Sequence, residues 1–300
     1  MSKWDKEYIK LCKKILKDGT IEHNRTGVDT IKLPGYFLEF DLAKELPVLT
    51  TKQLFFKNAI TELLWFYQAQ SNDVRWLQER NNHIWDEWEI DEDGKWKAIQ
   101  NVLNDKGELE KKEVIKQFDK KYAHTIGTAY GWIVNKYHLT ENLINMLKHN
   151  PGDRRMIMSL WQDEYIPTAV LPSCVWSTEW DVTDGKLNIW VHQRSCDVPL
   201  GLPFNVTQYA VLVNLMAHCT GLKVGKMYYS IKNPHIYVNQ IDGIKEQIKR
   251  YEELPDLKAP KLWINPEVRD FFEFDNSKDL KDIKIIGYEH HGKISFPIAQ

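Results

Sequence analysis

The sequence predicts an α+β fold, and three observations lead to it. Two alternating polar and apolar runs flank Asp184-Gly185 within residues 177–195, which is a strong signal for a β-hairpin. Residues 207–221 are almost wholly apolar at helical length and end at Gly221, which predicts a central buried helix. Strand-like segments come from distant parts of the chain and stand apart from the helical segments, which favours α+β.

The N-terminal part adds two helices and a strand. Residues 1–20 have the pattern of an amphipathic helix that ends at Gly19. The turn sequence NRTG precedes a strand-like alternation that continues to residue 42. Residues 58–70 carry apolar side chains around most of a helix, so they predict a buried helix. Glu62 is unusual there, because a carboxylate in a buried helix is either paired with a cation or placed for chemistry.

The chain changes character at about residues 90–127, which are highly charged, weakly periodic and interrupted by two glycine turns. This composition is typical of a solvated excursion or a small subdomain. A helix is expected from Thr140 to the Pro151-Gly152 stop, and a strand over residues 225–240.

The composition limits the classes of function. The 300 residues are enough for one large core or at most two domains. A net charge of −2 gives no basic field for nucleic acid or an anionic membrane. No apolar run is long enough for a membrane span, and no secretion signal begins the chain. The scattered cysteines therefore predict reduced thiols in a cytoplasmic protein; they are Cys12, Cys174, Cys196 and Cys219.

Cys174 follows a proline turn and precedes a strand-like run. A free cysteine there is either a small hydrophobic residue that fills a gap or a thiol held at a strand end for attack. Arg194 beside Ser195 suits phosphate oxygens, because the guanidinium fork and the hydroxyl supply convergent donors. Arg25 and the pair Arg154-Arg155 are further candidates for phosphate binding, although each arginine taken alone is more typical of an ordinary surface ion pair.

Other residues indicate recognition of a flat, hydroxylated ligand. The amide of Asn205 offers a donor and an acceptor that could read a base edge, or it could cap a turn. Trp85 and Trp88 lie on one face if the segment is helical, as a stacking wall or as core. His235 and Tyr237 could bind a sugar hydroxyl or form a satisfied core pair.

Taken together, these pieces resemble the folate-dependent thymidylate synthases nearly end to end. The run QRSCDVPLGLPFN is highly specific, and the matching segments follow one another in order: NRTGVDT, PVLTTK, ITELLWF, HIWDEW, AYGW, GDRRMI, LPSCVW, DGKLNIWVHQRSCDVPLGLPFN and HIYVNQ. The resemblance implies one domain over residues 1–300, with the charged stretch at about 90–127 as a variable small-domain insertion. It also implies a twisted mixed sheet, a large central buried helix with surrounding helices, and a sheet face that forms a homodimer interface.

The activity that the resemblance implies is reductive methylation of dUMP to dTMP. Methylenetetrahydrofolate is then the one-carbon donor and reductant, no metal is expected, and dihydrofolate is the second product. Cys174 would add to C6 of uracil as a thiolate, which a nearby cation such as Arg194 would favour. Glu62 would order water at O4, and Tyr130 would assist removal of the C5 proton. Asn205 and Asp197 complete the implied catalytic set.

The resemblance also assigns binding roles. The residues implied for dUMP are Arg25, Arg154, Arg155, Gln193, Arg194, Ser195, Asn205, His235 and Tyr237, with Arg154 and Arg155 donated by the other subunit of an obligate homodimer. The residues implied for the folate are Lys52, Ile84, Trp85, Trp88, Asp197, Gly201, Phe204 and Ala299. The chain departs from the family pattern at Ser173, Val175 and Gln300.

Three other functions compete with this interpretation. A pyrimidine-nucleotide hydroxymethylase of the same fold would let water trap the methylene group. Trp85, Trp88 and Asn205 favour the reductive reaction on uracil, and a hydroxymethylase that acts on dUMP stays open as the alternative. A non-catalytic RNA-binding homologue would need none of Cys174, Glu62 or Tyr130. A cysteine hydrolase would need an oxyanion-hole motif, which the sequence does not offer.

Overall fold

A computed structural model of the chain describes residues 2–103 and 109–298. The helices within those residues are α1 (Lys3–Asp18), α2 (Phe56–Tyr67), α3 (Val74–Gln78), α4 (Gly131–Lys136), α5 (Leu139–His149), α6 (Gly201–Thr220) and α7 (Ile241–Glu253). The strands are β1 (Thr20–Glu22), β2 (Thr30–Lys32), β3 (Gly35–Asp41), β4 (Lys95–Leu103), β5 (Leu109–Gln117), β6 (Ile157–Ser159), β7 (Val175–Thr183), β8 (Lys186–Gln193), β9 (Cys196–Asp197), β10 (Lys223–Lys232), β11 (Pro234–Tyr237), β12 (Lys261–Ile264) and β13 (Ile283–Ile286). No helix of this described part is long and apolar enough to cross a membrane.

The main sheet has five strands in the order β3-β10-β8-β7-β6. Strand β10 is antiparallel to β3 and parallel to β8, so the sheet is mixed. A parallel pair needs a crossover, and here the crossover carries α6, most of whose side chains are buried. The mixed sheet and the central buried helix of the predicted α+β fold are therefore confirmed.

The two strongest local signals in the sequence also hold. Strands β7 and β8 form an antiparallel hairpin closed by Asp184 and Gly185, both at positive φ, 53° and 68°. That conformation suits the two-residue turn. Helix α6 ends at Gly221, whose φ of 71° is the left-handed cap for which glycine is preferred.

A second sheet, in the order β1-β2-β11-β9, lies where the chain leaves the main sheet. Strand β9 contains Asp197 and follows β8 after Arg194 and Ser195. Strand β11 contains His235 and Tyr237 and pairs with both β2 and β9. Short strands from the two ends of the chain thus bring the polar residues of three segments to one place.

The charged stretch folds as a hairpin of β4 and β5. One face of that hairpin is buried, because Trp96 and Ala98 pack with residues outside it in a separate small core of Ile90, Trp96, Ala98, Phe118 and Val170. The expected turn at Lys106-Gly107 lies outside the described residues. Cross-strand partners face the same side, so Lys116, paired with Trp96, shares the inner face.

Candidate active site

A cavity of about 720 Å³ lies between α2, α6, the ends of both sheets and the β4–β5 hairpin. Its walls bring together sixteen of the predicted site residues, from segments spread across more than two hundred positions. They are Arg25, Glu62, Ile84, Trp85, Trp88, Tyr130, Cys174, Gln193, Arg194, Ser195, Asp197, Gly201, Phe204, Asn205, His235 and Tyr237. A volume of this size suits a drug-sized or larger ligand.

Cys174 lies in a turn that Arg194 fastens to the end of β8. The backbone N–H of Arg194 donates to the Cys174 carbonyl at 2.8 Å. Its guanidinium Nε donates to the Ser173 carbonyl at 3.1 Å, and Nη2 donates to the Pro172 carbonyl at 2.6 Å. The same arginine therefore holds the turn in place and brings positive charge close to the thiol.

Tyr130 approaches the same turn from the opposite side. The backbone N–H of Cys174 donates to Tyr130 Oη at 2.8 Å. The phenol ring stacks on Phe66 with a centroid distance of 4.4 Å and an interplanar angle of 10°. Tyr130 adopts φ of 45°, a backbone conformation that bulky residues rarely adopt and that clusters at functional sites. The stacked ring and the hydrogen bond together fix the hydroxyl beside the thiol.

The ionisation of Cys174 reflects two opposing effects. Burial raises the pKa of the Cys174 thiol, while Arg194, Tyr130 and Arg25 each lower it, in that order of size. The arginines act in the expected direction, but burial is the larger effect, so the pKa stays above the usual range for a thiol. In this state the thiol is mainly protonated at neutral pH.

Glu62 is 8% exposed in the wall of the cavity. Trp85 Nε1 donates to one of its carboxylate oxygens and Gln208 Nε2 to the other. Burial raises the pKa of Glu62 to about 7, although both hydrogen bonds oppose the rise. Both hydrogen-bond partners of the Glu62 carboxylate are thus neutral donors and not cations.

A chain of side-chain amides leads from Glu62 to Asn205. Gln193 Nε2 donates to Asn205 Oδ1 at 3.1 Å, and Asn205 Nδ2 donates to Gln208 Oε1 at 3.1 Å. The direction of the chain follows from two backbone carbonyls, because Nε2 of Gln193 also donates to Ser195 and Nε2 of Gln208 to Ala59. Asn205 therefore keeps one acceptor site and one N–H available, with their positions set by its neighbours.

An aromatic and apolar wall occupies another side of the cavity. The indole rings of Trp85 and Trp88 lie 5.4 Å apart at an angle of 63°, and Ile84, Gly201 and Phe204 line the cavity with them. Both indoles come from the HIWDEW segment, in which Asp86–Trp88 form a 3₁₀ turn. The wall is suited to a flat heterocycle.

Asp197, on β9 of the second sheet, also lines the cavity. The backbone N–H of Leu200 donates to Asp197 Oδ1 at 3.0 Å, and Gln240 Nε2 donates to Oδ2 at 3.1 Å. Burial raises the pKa of Asp197, and these two hydrogen bonds lower it. Both donors stabilise the carboxylate form.

His235 and Tyr237 lie side by side on β11, with ring centroids 5.2 Å apart at 90°. Burial lowers the pKa of His235, so the imidazole is neutral near pH 7. Its Nδ1 lies 3.1 Å from the Asn233 carbonyl, which fixes the proton on Nδ1 and leaves Nε2 as an acceptor. A neutral imidazole and a phenol can both bind hydroxyl groups.

Three predicted site residues lie elsewhere, and the position of a fourth is not described. Lys52 is buried at 5% exposure, where its Nζ donates to the Pro199 carbonyl at 2.5 Å and lies over the ring of Phe296. Arg154 and Arg155 are exposed in the turn before β6, and Arg155 pairs with Asp153 at 2.7 Å. Ala299 lies outside the described residues.

The cavity also contains residues that the sequence did not single out. The β4–β5 hairpin contributes Trp96, Gln100 and Lys116, and α6 contributes Gln208. The alternation of Trp96, Ala98 and Gln100 could have indicated a strand with a buried face, but the surrounding charge obscured it. Among the described residues, no group of His, Cys, Asp and Glu is arranged to hold a metal ion.

Comparisons with known proteins show which family the chain belongs to. The family model described as thymidylate synthase matches residues 6–300. Thymidylate synthase of Clostridium beijerinckii is 46% identical over 299 residues, and that of Leuconostoc mesenteroides is 35% identical over 341 residues, with all of each chain covered. The solved structure of the thermostable thymidylate synthase A from Bacillus subtilis is 33% identical, with a TM-score of 0.81 over 99% of both chains. Reductive methylation of dUMP to dTMP is therefore favoured over hydroxymethylation as the reaction of this chain. The chain belongs to the thymidylate synthase family.

Proposed function

We propose that this methylation proceeds through a covalent bond between the Cys174 sulfur and C6 of uracil. The observation that carries the proposal is the position of Cys174 in one cavity with a base-reading amide and two arginines. A thiolate suits the step because it is both a strong nucleophile and a good leaving group. Because burial raises the pKa of Cys174, the reactive thiolate has to form in the bound complex, with Arg194 and Arg25 as the cations that stabilise it.

The phosphate end of dUMP is assigned to Arg25, Arg194 and Ser195. All three line the cavity, and both arginines are close enough to Cys174 to lower the pKa of its thiol. Two guanidinium groups and a hydroxyl supply the convergent donors that a phosphate dianion needs. The phosphate would therefore bind on the same side of the cavity as the nucleophile.

The base and the sugar are assigned to the other polar walls. Asn205 reads the N3–H and O4 edge of uracil, and Gln193 holds the amide in the required direction. His235 and Tyr237 bind the 3′-hydroxyl, which the neutral imidazole can do as an acceptor. Because the amide is fixed by its neighbours, the wall is complementary to uracil rather than to a base with the reversed donor pattern.

Two residues handle protons. Glu62, whose pKa is about 7, can hold or release a proton at neutral pH and acts at O4 through ordered water. Tyr130 places its hydroxyl next to the Cys174 backbone and assists departure of the C5 proton. Their shared neighbour, Phe66, lines the cavity as well.

The remaining cavity fits methylenetetrahydrofolate as cosubstrate. Its apolar wall of Ile84, Trp85, Trp88 and Phe204 suits a flat pterin, and Asp197 offers a carboxylate to ring N–H groups. When bound, the folate supplies the one-carbon unit and the hydride, and it leaves as dihydrofolate. Gly201 lines this region without a side chain, and a Cβ there would meet only Asn205 Oδ1, at 3.8 Å.

Two further folate contacts are kept as predictions. Lys52 would meet the glutamate tail of the folate, for which its ammonium has to leave the Pro199 carbonyl that it contacts in this structure. Ala299 would cover the folate from the C-terminal segment. The position of Ile298, which lines the cavity, supports a tail that reaches the site.

We also propose a homodimer that forms through the exposed face of the main sheet. That face carries Phe37 at 55%, Ile157 at 53% and Trp176 at 39% exposure, a large apolar surface for a monomer. Phe37, Tyr228 and Trp190 form a stacked row on it. Arg154 and Arg155 immediately precede β6, the edge strand of this sheet, so they could reach the phosphate of the partner subunit.

A cytoplasmic location is proposed from the state of the cysteines. All four cysteines are free thiols in the structure, which suits a reducing compartment. Fractionation of the source cells with an antibody to the chain would test it.

The decisive experiment is the near-UV absorbance of the protein mixed with dUMP and methylenetetrahydrofolate. We expect dihydrofolate to appear with wild-type protein and not with Cys174→Ala. Consumption of dUMP without dihydrofolate would indicate hydroxymethylation and overturn the reductive mechanism. Dihydrofolate formation that survives Cys174→Ala would overturn the nucleophile assignment.

Complementation tests the dimer. Mixed Cys174→Ala and Arg154→Ala chains should recover part of the activity, because hybrid dimers contain one site with an intact thiol and an intact partner arginine. No recovery after verified subunit exchange would contradict phosphate binding in trans.

A further inference from the structure

The amide of Gln240 connects three parts of the cavity wall. Gln240 is 1% exposed. It is the last residue of the 3₁₀ turn Val238–Gln240 and immediately precedes α7. Its Oε1 accepts from the backbone N–H of Tyr237, while its Nε2 donates to Asp197 Oδ2 and to the Pro297 carbonyl, each at 3.1 Å. The donor on Tyr237 and the acceptors on Asp197 and Pro297 permit only one orientation of the amide.

The bond to Pro297 ties the C-terminal segment to the site. Phe296, one residue earlier, is 8% exposed and packs so closely on Gly243 that a Cβ there would lie 2.5 Å from its ring. Lys52 Nζ lies 4.7 Å from the centre of the same ring. One residue later, Ile298 lines the cavity. Phe296 thus anchors the segment. The hydrogen bond from Gln240 to Pro297 then fixes the backbone immediately before Ile298 enters the cavity wall.

The bond to Asp197 ties the same amide to the wall assigned to the folate. Asp197 has two hydrogen-bond donors, the Leu200 backbone N–H and Gln240 Nε2. One of those donors is fixed by the main chain, whereas Gln240 is a side chain shared with the C-terminal segment. A ligand that binds Asp197 therefore changes one of the two acceptors of Gln240 Nε2. The other acceptor, the Pro297 carbonyl, belongs to the C-terminal segment.

We propose that Gln240 is a positioning residue that couples binding of the folate at Asp197 to the placement of the C-terminal segment over the cavity. This inference rests on the proposed function, since it takes Asp197 as a folate contact. Coupling through a shared hydrogen-bond donor requires that each site change the affinity of the other by the same factor. We expect a smaller effect on the nucleotide side, because the one bond that the Gln240 side chain makes there is to the backbone N–H of Tyr237.

The test uses Gln240→Leu, with Gln247→Leu as the matched control. Gln247 is also a fully buried glutamine, and it donates to Thr51 Oγ1 at 2.9 Å, away from the cavity wall. Both variants lose a buried amide, but only Gln240→Leu loses the bonds to Asp197 and Pro297. The probe is dihydrofolate, added to protein saturated with dUMP.

We expect Gln240→Leu to weaken dihydrofolate binding about 10-fold, as the loss of one charged hydrogen bond implies, and to leave the Kd for dUMP within about twofold. Dihydrofolate should slow amide hydrogen exchange in residues 293–298 of the wild type and of Gln247→Leu, but not of Gln240→Leu. Unchanged folate affinity and retained protection in Gln240→Leu would overturn the proposal. Equal losses for dUMP and dihydrofolate would also overturn it, as they indicate general damage.

A double-mutant cycle with Phe296→Ala gives a second, independent measurement. Releasing the anchor should weaken dihydrofolate binding, and Gln240→Leu should then add little, since both act on one segment. Additive losses would contradict the coupling. If Gln240→Leu does not fold, Gln240→Asn, which is one methylene shorter, replaces it in the same cycle. The assays read binding and exchange, so a wild type that binds both ligands without forming product would fail the proposed function alone.

Discussion

The two sides of the cavity are held in different ways. The side that contains Cys174 is continuous with the main sheet. Arg194 donates three hydrogen bonds to backbone carbonyls of the Cys174 turn and so stabilises it. The opposite side includes the β4–β5 hairpin, which packs through a separate core of five residues and contributes exposed side chains such as Lys116. In the proposed mechanism the covalent chemistry belongs to the first side, here called the rigid side, and we expect the hairpin side to affect ligand binding but not the chemical step.

The largest expected effect is on the rigid side. Cys174→Ala should reduce turnover by about four orders of magnitude, because the reaction loses its nucleophile, while the Kd for dUMP stays similar. Turnover and dUMP titration measure both quantities. Cys196→Ala is the matched control, since Cys196 is a buried free thiol two residues beyond Arg194; an equal loss there would contradict the special role of Cys174.

Arg194→Ala should lower kcat/KM on the order of 100-fold, because it removes charged hydrogen bonds from the nucleophile turn and from the phosphate. Arg194 lowers the pKa of the Cys174 thiol, so its removal shifts that pKa upward. The rate of iodoacetamide alkylation should therefore rise with pH at a higher midpoint than in the wild type. Arg194→Lys keeps the charge without the fork, and its midpoint should lie between the two. A lower midpoint in Arg194→Ala would contradict the assignment.

Glu62, on α2, gives a test that measures the stability of the folded protein. Its pKa rises from 4.5 to about 7 on folding, so between those values the unfolded chain releases a proton that the folded chain retains. The contribution of Glu62 to the free energy of unfolding should therefore fall with rising pH, by about 2 kcal/mol between pH 5 and pH 7. Urea unfolding of Glu62→Gln should lack this part of the slope. Parallel pH profiles for the two proteins would show that the carboxyl is not perturbed.

The smallest effect is expected on the hairpin side. Burial and then the charge of Arg25 lower the pKa of Lys116, so the two cations face one region of the cavity. Lys116→Gln should raise the KM for an anionic ligand about threefold, as removal of an exposed charge implies, without changing kcat. Lys97→Gln, on the outer face of the same hairpin, is the control. A loss of kcat in Lys116→Gln would contradict the division between the two sides.

The parts of the fold that follow local rules could be predicted from the sequence. The Asp184-Gly185 turn and the end of α6 at Gly221 depend on neighbouring residues, and both hold. The hairpin at β4–β5 was expected only as a charged excursion, because its buried face depends on Val170, a residue far along the chain.

The site divides in the same way. Most residues that line the cavity could be named from motifs. Their pKa values and hydrogen-bond partners could not be predicted in this way. Burial outweighs Arg194 at Cys174, which depends on packing and not on sequence neighbours. Lys52 contacts Pro199 instead of the cavity, and Gln208 carries the bond between Asn205 and Glu62. None of these contacts leaves a signal in a single sequence.

The register of the main sheet has a consequence for synthesis of the chain. Gly35 in β3 pairs with Lys232 in β10, and β10 lies between β3 and the hairpin of β7 and β8. At translation rates of about 5–20 residues per second, β3 waits for its partner on the order of 10 s or more after it is made. Until then β3 lacks the strand that it pairs with in the main sheet, and its backbone groups are open to pairing with other strands.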